Sequence, residues 1–406
     1  MQVNDVIELE IDSMSYGASA VGRYALGDGQ TGKLADGSRE QAAGAGAGNR
    51  VVVFVQGAMP GEKVRARVSK KHKNYWEAAL VEVLRPSADR VAPPCPVFEQ
   101  CGGCQWQFMS YDAQIRAKED ILTHQLHRTA RLALDEIKKK LTTHPAKNPL
   151  GYRARLQAHG DAQGMGFFGT GSHSIVRTDR CIVAHPDIQK AWTEFLAKRP
   201  IAELARARGQ FKIEWTRTDN GQVREALNSK HGAFGFTQVN SEQNEVLKKL
   251  VSKLAGEKKR VLLDLYGGDG NLSKQLSGNF EHVICVDSFN DGGAPTKVDP
   301  KANSGFVLVN ARVEDFLENQ YWRDWGFEQI DCVIADPPRN GLREAAGRIA
   351  DLQASRIVLV SCDPSTLARD LTAFTAASYE VDQIHLVDMF PQTFHLETVV
   401  SLVKKS

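Results

Sequence analysis

RVLLDLYGGDGN, residues 260–271, is the stretch on which the reading of the fold turns. An apolar run of strand length ends in a glycine-rich turn, where missing side chains let a nucleotide-like ligand approach the backbone. Four more such runs follow: HVICVD (282–287), FVLVN (306–310), IDCVIADPP (330–338) and RIVLVSCDP (356–364). Apolar runs that stop at polar or glycine-rich turns are the pattern of buried parallel strands alternating with helices. From about Lys259 the chain is therefore expected to be an α/β domain, with its ligands beyond the carboxyl ends of the strands.

The residues just after each run are then the informative ones. Asp287 ends the second run about twenty residues past the glycine turn, where a carboxylate can accept hydrogen bonds from both ribose hydroxyls. Together the two features favour an adenosine cofactor, and a structural strand-turn-helix with a capping Asp is the alternative. The full GxGxxG spacing is missing and there is no GxxxxGK-S/T phosphate loop, so ATP hydrolysis finds no support. ADPPRNGL (335–342) makes a rigid turn against which a flat base can lie, because Pro supplies no backbone donor. Arg339 there meets a phosphate or a base carbonyl, or is a solvated surface residue. SCDPSTLARD (361–370) puts Cys362 after the fifth run and ahead of a helix. A lone cysteine is commonly a small buried hydrophobe, but a helix N-terminus stabilises a thiolate, and this edge is shared with the cofactor turn.

Upstream the pattern changes. VIELEI, RVVVFV from Arg50, KVRARV and AALVEVL read as short strands of a small β-barrel. Between them, 27–49 is rich in Gly, Ala and polar residues and is expected to be a mobile hairpin loop. Residues 63–73 carry six Lys or Arg and no acidic residue, with Tyr75 and Trp76 beyond. That suits phosphate contacts plus base stacking, as in OB-type nucleic-acid modules, and it equally suits an edge strand protected from aggregation by Lys. RPSADRVAPPCP (85–96) is expected to be a domain boundary. In the central region, 111–134 fits an amphipathic helix, and FKIEWTRT and QVREAL around Asn220-Gly221 fit a β-hairpin.

Length and composition agree with a modular globular protein: 406 residues, 42% hydrophobic and 25% charged, with no apolar run long enough for a bilayer. The opening MQVNDVIELEID has acidic residues where an export signal has a basic end, so a cytoplasmic location is expected. A net charge of +2 does not by itself mark a nucleic-acid binder. Seven cysteines, an odd number in a chain expected in the cytosol, point to metal binding or catalysis rather than disulfides.

DLYGGDGN, DPPRNGL, SCDPSTLARD and HLETVVSL, in that order, resemble the RNA uracil-C5 methyltransferase family, and FTQVN (236–240) resembles the segment that opens its catalytic domain. GAMPGEKVRARVSKKHKNYWEAALVEVL looks like its TRAM domain, an RNA-binding β-barrel, and CPVFEQCGGCQWQ like its iron-sulfur motif. The resemblance implies a TRAM-like OB barrel over 1–88, a central α+β iron-sulfur domain over 89–232 and a Rossmann-like class I methyltransferase domain over 233–406. It implies Cys362 as nucleophile toward uracil C6 and Glu397 as the base that removes the C5 proton. S-adenosylmethionine would be held by Gln238, Tyr266, Asn271, Asp287, Asn310 and Asp336. Cys95, Cys101, Cys104 and the distant Cys181 would hold a 4Fe-4S cluster, with zinc on the same four cysteines as the alternative. Architecture favours 23S rRNA as the partner, with tRNA the alternative. An RNA-binding protein that has lost turnover, and a methyltransferase for DNA or protein, are the rival functions.

Three features depart from the family pattern. Gly267 stands where many relatives have Cys, and Asp363 where Asn is usual. FNDGGAPTKVDPKANSG (289–305) replaces a helix rich in Ala and Asn; its Pro, Gly and Asp argue against a regular helix and for an altered cofactor wall beside Asp287 and Asn310.

Overall fold

The computed structural model describes residues 2–26, 50–199, 201–206, 209–218, 220–229, 238–257, 259–288 and 305–405. The expected hairpin loop at 27–49 and the atypical stretch at 289–304 lie outside them, as do Phe236 and Thr237 of FTQVN. The described residues group into two compact units: those within 1–121 together with 168–174 and 392–394, and the remainder.

In the first unit, β1 (Val6–Met14), β2 (Ala20–Ala25), β3 (Arg50–Gln56), β4 (Lys63–Lys71) and β5 (Tyr75–Arg85) close into a barrel in the order β1-β2-β3-β5-β4. Alternation builds it: Ile7, Leu9 and Ile11 of β1 and Val64, Ala66 and Val68 of β4 are buried, and the residues between them carry the charge. β2 went unread in the sequence because AVGRYA is short and broken by glycine. Gly22 is required there, since a Cβ would overlap the carbonyl oxygen of Glu10 on β1. The connector after β5 is pinned to the barrel: Arg90 donates through Nε and Nη2 to the fully buried Glu62, at 2.5 and 2.8 Å. A buried carboxylate persists only with such partners, and Glu62 also accepts from the amide of Met59.

The expected central helix is α1 (Tyr111–Arg128), followed by α2 (Leu134–Lys140) and the short β6 (Leu141–His144). β7 (Arg155–Asp161), β8 (Gly164–Phe168), β9 (Ile175–Arg177), β10 (Gln210–Arg217) and β11 (Val223–Leu227) form a sheet in the order β11-β10-β7-β8-β9. β10 and β11 are the expected hairpin. α3 (Pro186–Lys198) and α4 (Ile201–Arg206) accompany this sheet, and Trp192 of α3 stacks on Trp215 of β10 at 5.6 Å between ring centres.

The third sheet has eight strands, and α5 (Ser241–Ala255) leads into it, capped by the side chain of Asn240, which accepts from the Gln243 amide. β12 (Lys259–Leu265), β13 (Phe280–Asp287), β14 (Gly305–Asn310), β15 (Cys332–Ala335) and β16 (Arg356–Ser361) are the five expected strands, all parallel to one another. Between them lie α6 (Val313–Glu318), α7 (Tyr321–Asp324) and α8 (Ala345–Asp351), and α9 (Pro364–Ala376) follows β16. β17 (Tyr379–Val387) and β18 (Glu397–Lys404) then pair antiparallel, giving the order β14-β13-β12-β15-β16-β18-β17-β6. The outermost strand, β6, is parallel to β17 and comes from the segment that the sequence assigned to the central domain. Leu247, Leu250 and Val251 of α5 pack with Leu262, Ile334 and Val358 into one core beneath the sheet. No described helix is long and apolar enough to cross a membrane.

Candidate active site

The turn after β12 is tied to β13 by its own backbone. Tyr266 takes a left-handed φ of 60° and its amide donates to Val286 O at 3.0 Å, while the Gly268 amide donates to Asp287 Oδ2 at 2.8 Å. Ser288 N donates to the other oxygen of Asp287, which leaves lone pairs on both for a ligand. Asn310 lies beside Asp287 in register across β13 and β14. The Tyr266 hydroxyl donates to Glu314 Oε1 at 2.9 Å, and burial with that carboxylate holds its pKa above the ordinary phenol value. Asn271 forms a reciprocal amide pair with Asn244 of α5, both bonds at 3.0 Å, so its amide arrives at the edge already oriented. Gln238 is half-buried, two residues before the cap of α5.

Two residues beneath the turn escaped sequence reasoning. Asp264 is fully buried inside β12, where Ser273 Oγ donates to one oxygen, while the other has no partner among the described residues. Burial, and secondarily the charge of Asp287, push its pKa up to about 7. The available signal was an acidic residue inside an otherwise apolar strand. Asn244 gave none, being one polar residue on a helix full of them. At Gly267 a Cβ would overlap Asp264 Oδ2 and Cys285 Sγ.

The expected catalytic residues lie on the next strands. Asp336 follows β15, its amide donating to Leu265 O at 3.2 Å. The turn after it is fastened to α9: Asp370 accepts from the Leu342 amide at 2.7 Å, and Thr366 Oγ1 donates to Arg339 O. Gly341, at φ 71°, lies where a Cβ would meet Arg369 and Asp370. The antiparallel β16–β18 pairing ends with Ser361 beside Thr398, so Cys362 follows the last paired residue of β16 and Glu397 precedes that of β18, and the Glu397 charge reaches the thiol. Burial, then the charge of Asp336, raises the pKa of Glu397, which is 4% exposed, well above the carboxylate range. Asp336 is pushed up to about 7 by burial, with Asp264 and Asp287 adding.

Cys362 corrects one expectation. Its half-buried thiol is pushed up to about 11, first by burial, then by Glu397 and Asp336, against which Arg339 acts. A helix N-terminus does follow it, but Asp363 takes the amides of Ser365 and Thr366 at 2.9 and 3.0 Å and adds a negative charge of its own. The free N–H groups that stabilise an anion at a helix start are thus occupied, and the resting residue is a thiol.

Cys95, Cys101 and Cys104 lie in the first unit and Cys181 in the second, all half-buried and free of disulfides. Burial and the neighbouring Cys95 raise the Cys101 pKa, opposed by the Gly103 amide, which donates to its sulfur at 3.4 Å. Among the described residues no three His, Cys, Asp or Glu side chains converge as a metal-binding group. On the barrel, the basic strand is divided. Lys63 and Arg65 of β4 and Arg85 of β5 pair with Glu8, Glu82 and Glu10. At the other end Lys71 lies over the Trp76 ring at 4.3 Å, His72 stacks on Tyr75 at 4.2 Å, and Lys70 and Lys73 are exposed.

A family model, tRNA (Uracil-5-)-methyltransferase, matches residues 312–405, the stretch that holds Asp336, Cys362 and Glu397. A protein of Bdellovibrio bacteriovorus named as an RNA methyltransferase is 32% identical over 365 residues, 87% of this chain and 89% of its own. The 23S rRNA (uracil(1939)-C(5))-methyltransferase RlmD of a Marinomonas species is 30% identical over 424 residues, 91% of this chain and 94% of its own. Among solved structures, the Pyrococcus abyssi tRNA (uracil-54, C5)-methyltransferase in complex with S-adenosyl-L-homocysteine superposes with a TM-score of 0.61. At 22% identity, across 88% of this chain and 96% of that one, it shows a shared fold.

Proposed function

The chain belongs to the RNA uracil-C5 methyltransferase family, and from that premise we propose that it methylates a uridine of 23S rRNA through a covalent bond between Cys362 and the base, with Glu397 abstracting the proton. It is an S-adenosylmethionine-dependent RNA (uracil-C5-)-methyltransferase. The target and the route are the proposal. The observation that supports the route is the end of the β16–β18 pairing, which brings Cys362 and the buried Glu397 to neighbouring strand ends, with Asp336 raising the pKa of both.

C5 of uracil is too weak a nucleophile to take a methyl group unaided, and covalent addition at C6 raises its electron density. Cys362 Sγ, having lost its proton, adds to C6, and the C5=C6 pair becomes an enolate with its density at C5. S-adenosylmethionine supplies the methyl group as an electrophilic carbon on a sulfonium sulfur. C5 then carries hydrogen and methyl together. Glu397 removes that proton, the C–H pair restores the C5=C6 bond, and the thiolate is expelled. One methyl enters from S-adenosylmethionine, which would depart as S-adenosylhomocysteine; the thiol proton released to solvent at the start returns to the expelled thiolate, and the C5 proton leaves by way of Glu397. Both acids must shed a proton at an edge crowded with carboxyls, and a positive charge bound there favours both anions by the same Coulomb argument that otherwise keeps them neutral. Gln238, Tyr266, Asn271, Asp287, Asn310 and Asp336 are the proposed cofactor contacts. Asn271 supplies an oriented amide, Asp287 supplies free lone pairs, and the buried, orphaned oxygen of Asp264 beneath them fits an edge built for a cationic ligand.

The choice of 23S rRNA follows the Marinomonas relative, matched over almost its whole length. A tRNA uridine is the alternative. We assign 1–88 as a TRAM-like RNA-binding barrel, 89–232 as a central iron-sulfur domain, 233–406 as the catalytic domain, and the cytoplasm as the location. On the barrel, the end bearing Lys70, Lys73 and Tyr75 suits phosphates and stacked bases better than the end whose cations already have carboxylate partners. Cys95, Cys101, Cys104 and Cys181 are proposed to hold a 4Fe-4S cluster. Support comes from their spacing, their thiol chemistry and the Gly103 amide at the Cys101 sulfur; no side-chain convergence among the described residues adds to it. No step of methyl transfer runs through it.

The test is to incubate protein purified without oxygen with S-adenosylmethionine and 5-fluorouridine-substituted ribosomal RNA or tRNA. Fluorine at C5 cannot leave as a proton, so a denaturation-resistant adduct is expected with wild type and none with Cys362→Ala, and the RNA captured identifies the substrate class. Cofactor binding without an adduct on either RNA would sink this route and leave an RNA-binding protein of this fold.

A further inference from the structure

Glu397 opens β18, and the nine residues before it, 388–396, connect it to β17. In the middle of this connection Gln392 adopts a left-handed backbone, φ 67°, although it is not glycine. Such a conformation costs an ordinary residue roughly 1–2 kcal/mol and persists where its surroundings over-determine it. Here the surroundings are specific. The carbonyl of Gln392 accepts from the amides of both Gln105 and Trp106, each at 3.0 Å. Its amide donates to Gln114 Oε1 at 2.9 Å, and Gln114 Nε2 donates back to Gln392 Oε1 at 3.1 Å. The same Nε2 also faces the carbonyls of Trp106 and Met109, at 3.2 and 3.1 Å. Two residues on, Phe394 meets Tyr16 edge to face at 5.5 Å.

Gln114 is 1% exposed. Only a primary amide on a side chain of this length offers an acceptor for one backbone N–H together with two N–H donors to share among the three oxygens. Leu would leave those groups unpaired in a dry site, and Glu would turn a carboxylate toward the three oxygens. So expensive a buried polar group, devoted to a left-handed loop residue, indicates that the path of this loop matters. The loop leads directly into β18, whose first residue is Glu397.

We propose that Gln114 is a positioning residue for the proton-abstraction half of the reaction, fixing Gln392–Phe394 and through the chain the placement of Glu397. This rests on the reading of Glu397 as the base. The consequence is selective. A loosened loop slows removal of the C5 proton, the step on which release of Cys362 depends, while addition and methyl transfer precede it.

The experiment compares wild type, Glu397→Gln, Gln114→Leu and Gln392→Asn on RNA containing ordinary uridine, scoring turnover, KM for S-adenosylmethionine, denaturation-resistant protein–RNA adduct and thermal midpoint. Glu397→Gln is expected to accumulate adduct that wild type does not. Gln114→Leu is expected to lose about 10- to 100-fold in kcat with KM within about twofold, and to accumulate adduct in the same way, since misplacing a catalytic group by about an ångström costs on this scale. Gln392→Asn tolerates the left-handed backbone and withdraws only the side-chain half of the clamp, so the same accumulation is expected in smaller measure. Adduct in Glu397→Gln but in neither clamp variant overturns the positioning role. So does a fall in turnover that merely tracks a lower thermal midpoint with no adduct. If Glu397→Gln itself accumulates none, the base assignment fails and takes the positioning role with it.

Discussion

The eight-stranded sheet has two halves that differ in kind. From β14 to β16 every strand is parallel, and each brings a polar group to one edge at or just after its end: Asn310, Asp287, Tyr266, Asp336 and Cys362. From β18 to β6 the sheet is held by an antiparallel pair and a four-residue edge strand, and it delivers one group to that edge, Glu397, at the start of a strand rather than after its end. A parallel half suffices to bind a nucleotide-like cofactor. Covalent chemistry at a base needs a second proton-transfer group facing the nucleophile from another direction, and only reversing the chain at the sixth strand provides it. The proposed reacting pair, Cys362 and Glu397, therefore straddles the seam between the halves.

Removing one side of that seam gives the largest expected effect. Cys362→Ala is expected to lower turnover by at least roughly 10⁴-fold, the scale on which a missing nucleophile acts, with S-adenosylmethionine affinity held within about twofold. Calorimetry beside a radiolabelled methyl-transfer assay separates the two readouts. A parallel loss of cofactor binding would show that the halves are not divided by function as described.

Beneath the parallel half, Asp264 predicts a change in stability. In the unfolded chain its pKa is the ordinary 3.8, and in the fold burial raises it to about 7. The destabilisation from burying the carboxylate is absent below about pH 4, grows as pH rises between those values and is complete above about pH 7. Asp264→Asn keeps an acceptor for Ser273 Oγ and carries no charge. It is expected to be more stable than wild type at pH 8, by up to roughly 4 kcal/mol, and equal to it near pH 4. Thermal midpoints at the two pH values check the sign, and an equal gain at both would mean the carboxyl is neutral for another reason.

What was legible in the sequence follows the same seam. The five parallel strands announce themselves because burial on both faces demands apolar runs and glycine or proline must end them, and the barrel because alternation repeats. β6 is LTTH, without an apolar run, and only its position beside β17 makes it a strand. Cys362 and Glu397 were named from motifs, and no periodicity reveals that they come to neighbouring strand ends, because that depends on a register set by residues far along both strands. The acidity of Cys362 was misread for a related reason. The sequence places the thiol before a helix, but whether the amides there are free depends on the cap, and Asp363 occupies them. Asp264 was passed over because apolar neighbours disguise a single carboxylate within a strand.

A milder test separates binding from chemistry across the seam. Asn271→Ala removes an amide that Asn244 has already oriented, and is expected to weaken S-adenosylmethionine binding about tenfold, the worth of one good hydrogen bond to a charged ligand. At saturating cofactor its kcat should equal that of wild type. A lowered kcat at saturation would instead place Asn271 among the groups that act in the reaction.

The smallest effect bears on why Cys362 rests as a thiol. Asp363 caps α9 with one oxygen and adds charge beside the sulfur; Asn keeps the capping oxygen and loses the charge. Asp363→Asn is therefore expected to leave the thermal midpoint nearly unchanged and to lower the pKa of Cys362 from about 11. Iodoacetamide reacts with the thiolate, so its rate with Cys362 at pH 8 should rise about two- to threefold. S-adenosylmethionine should raise that rate further in both proteins, and S-adenosylhomocysteine should not, because only the former brings a positive charge to the carboxylate edge. If both ligands act alike, the charge balance at the seam is not set by the cofactor, and burial alone keeps the proton on sulfur.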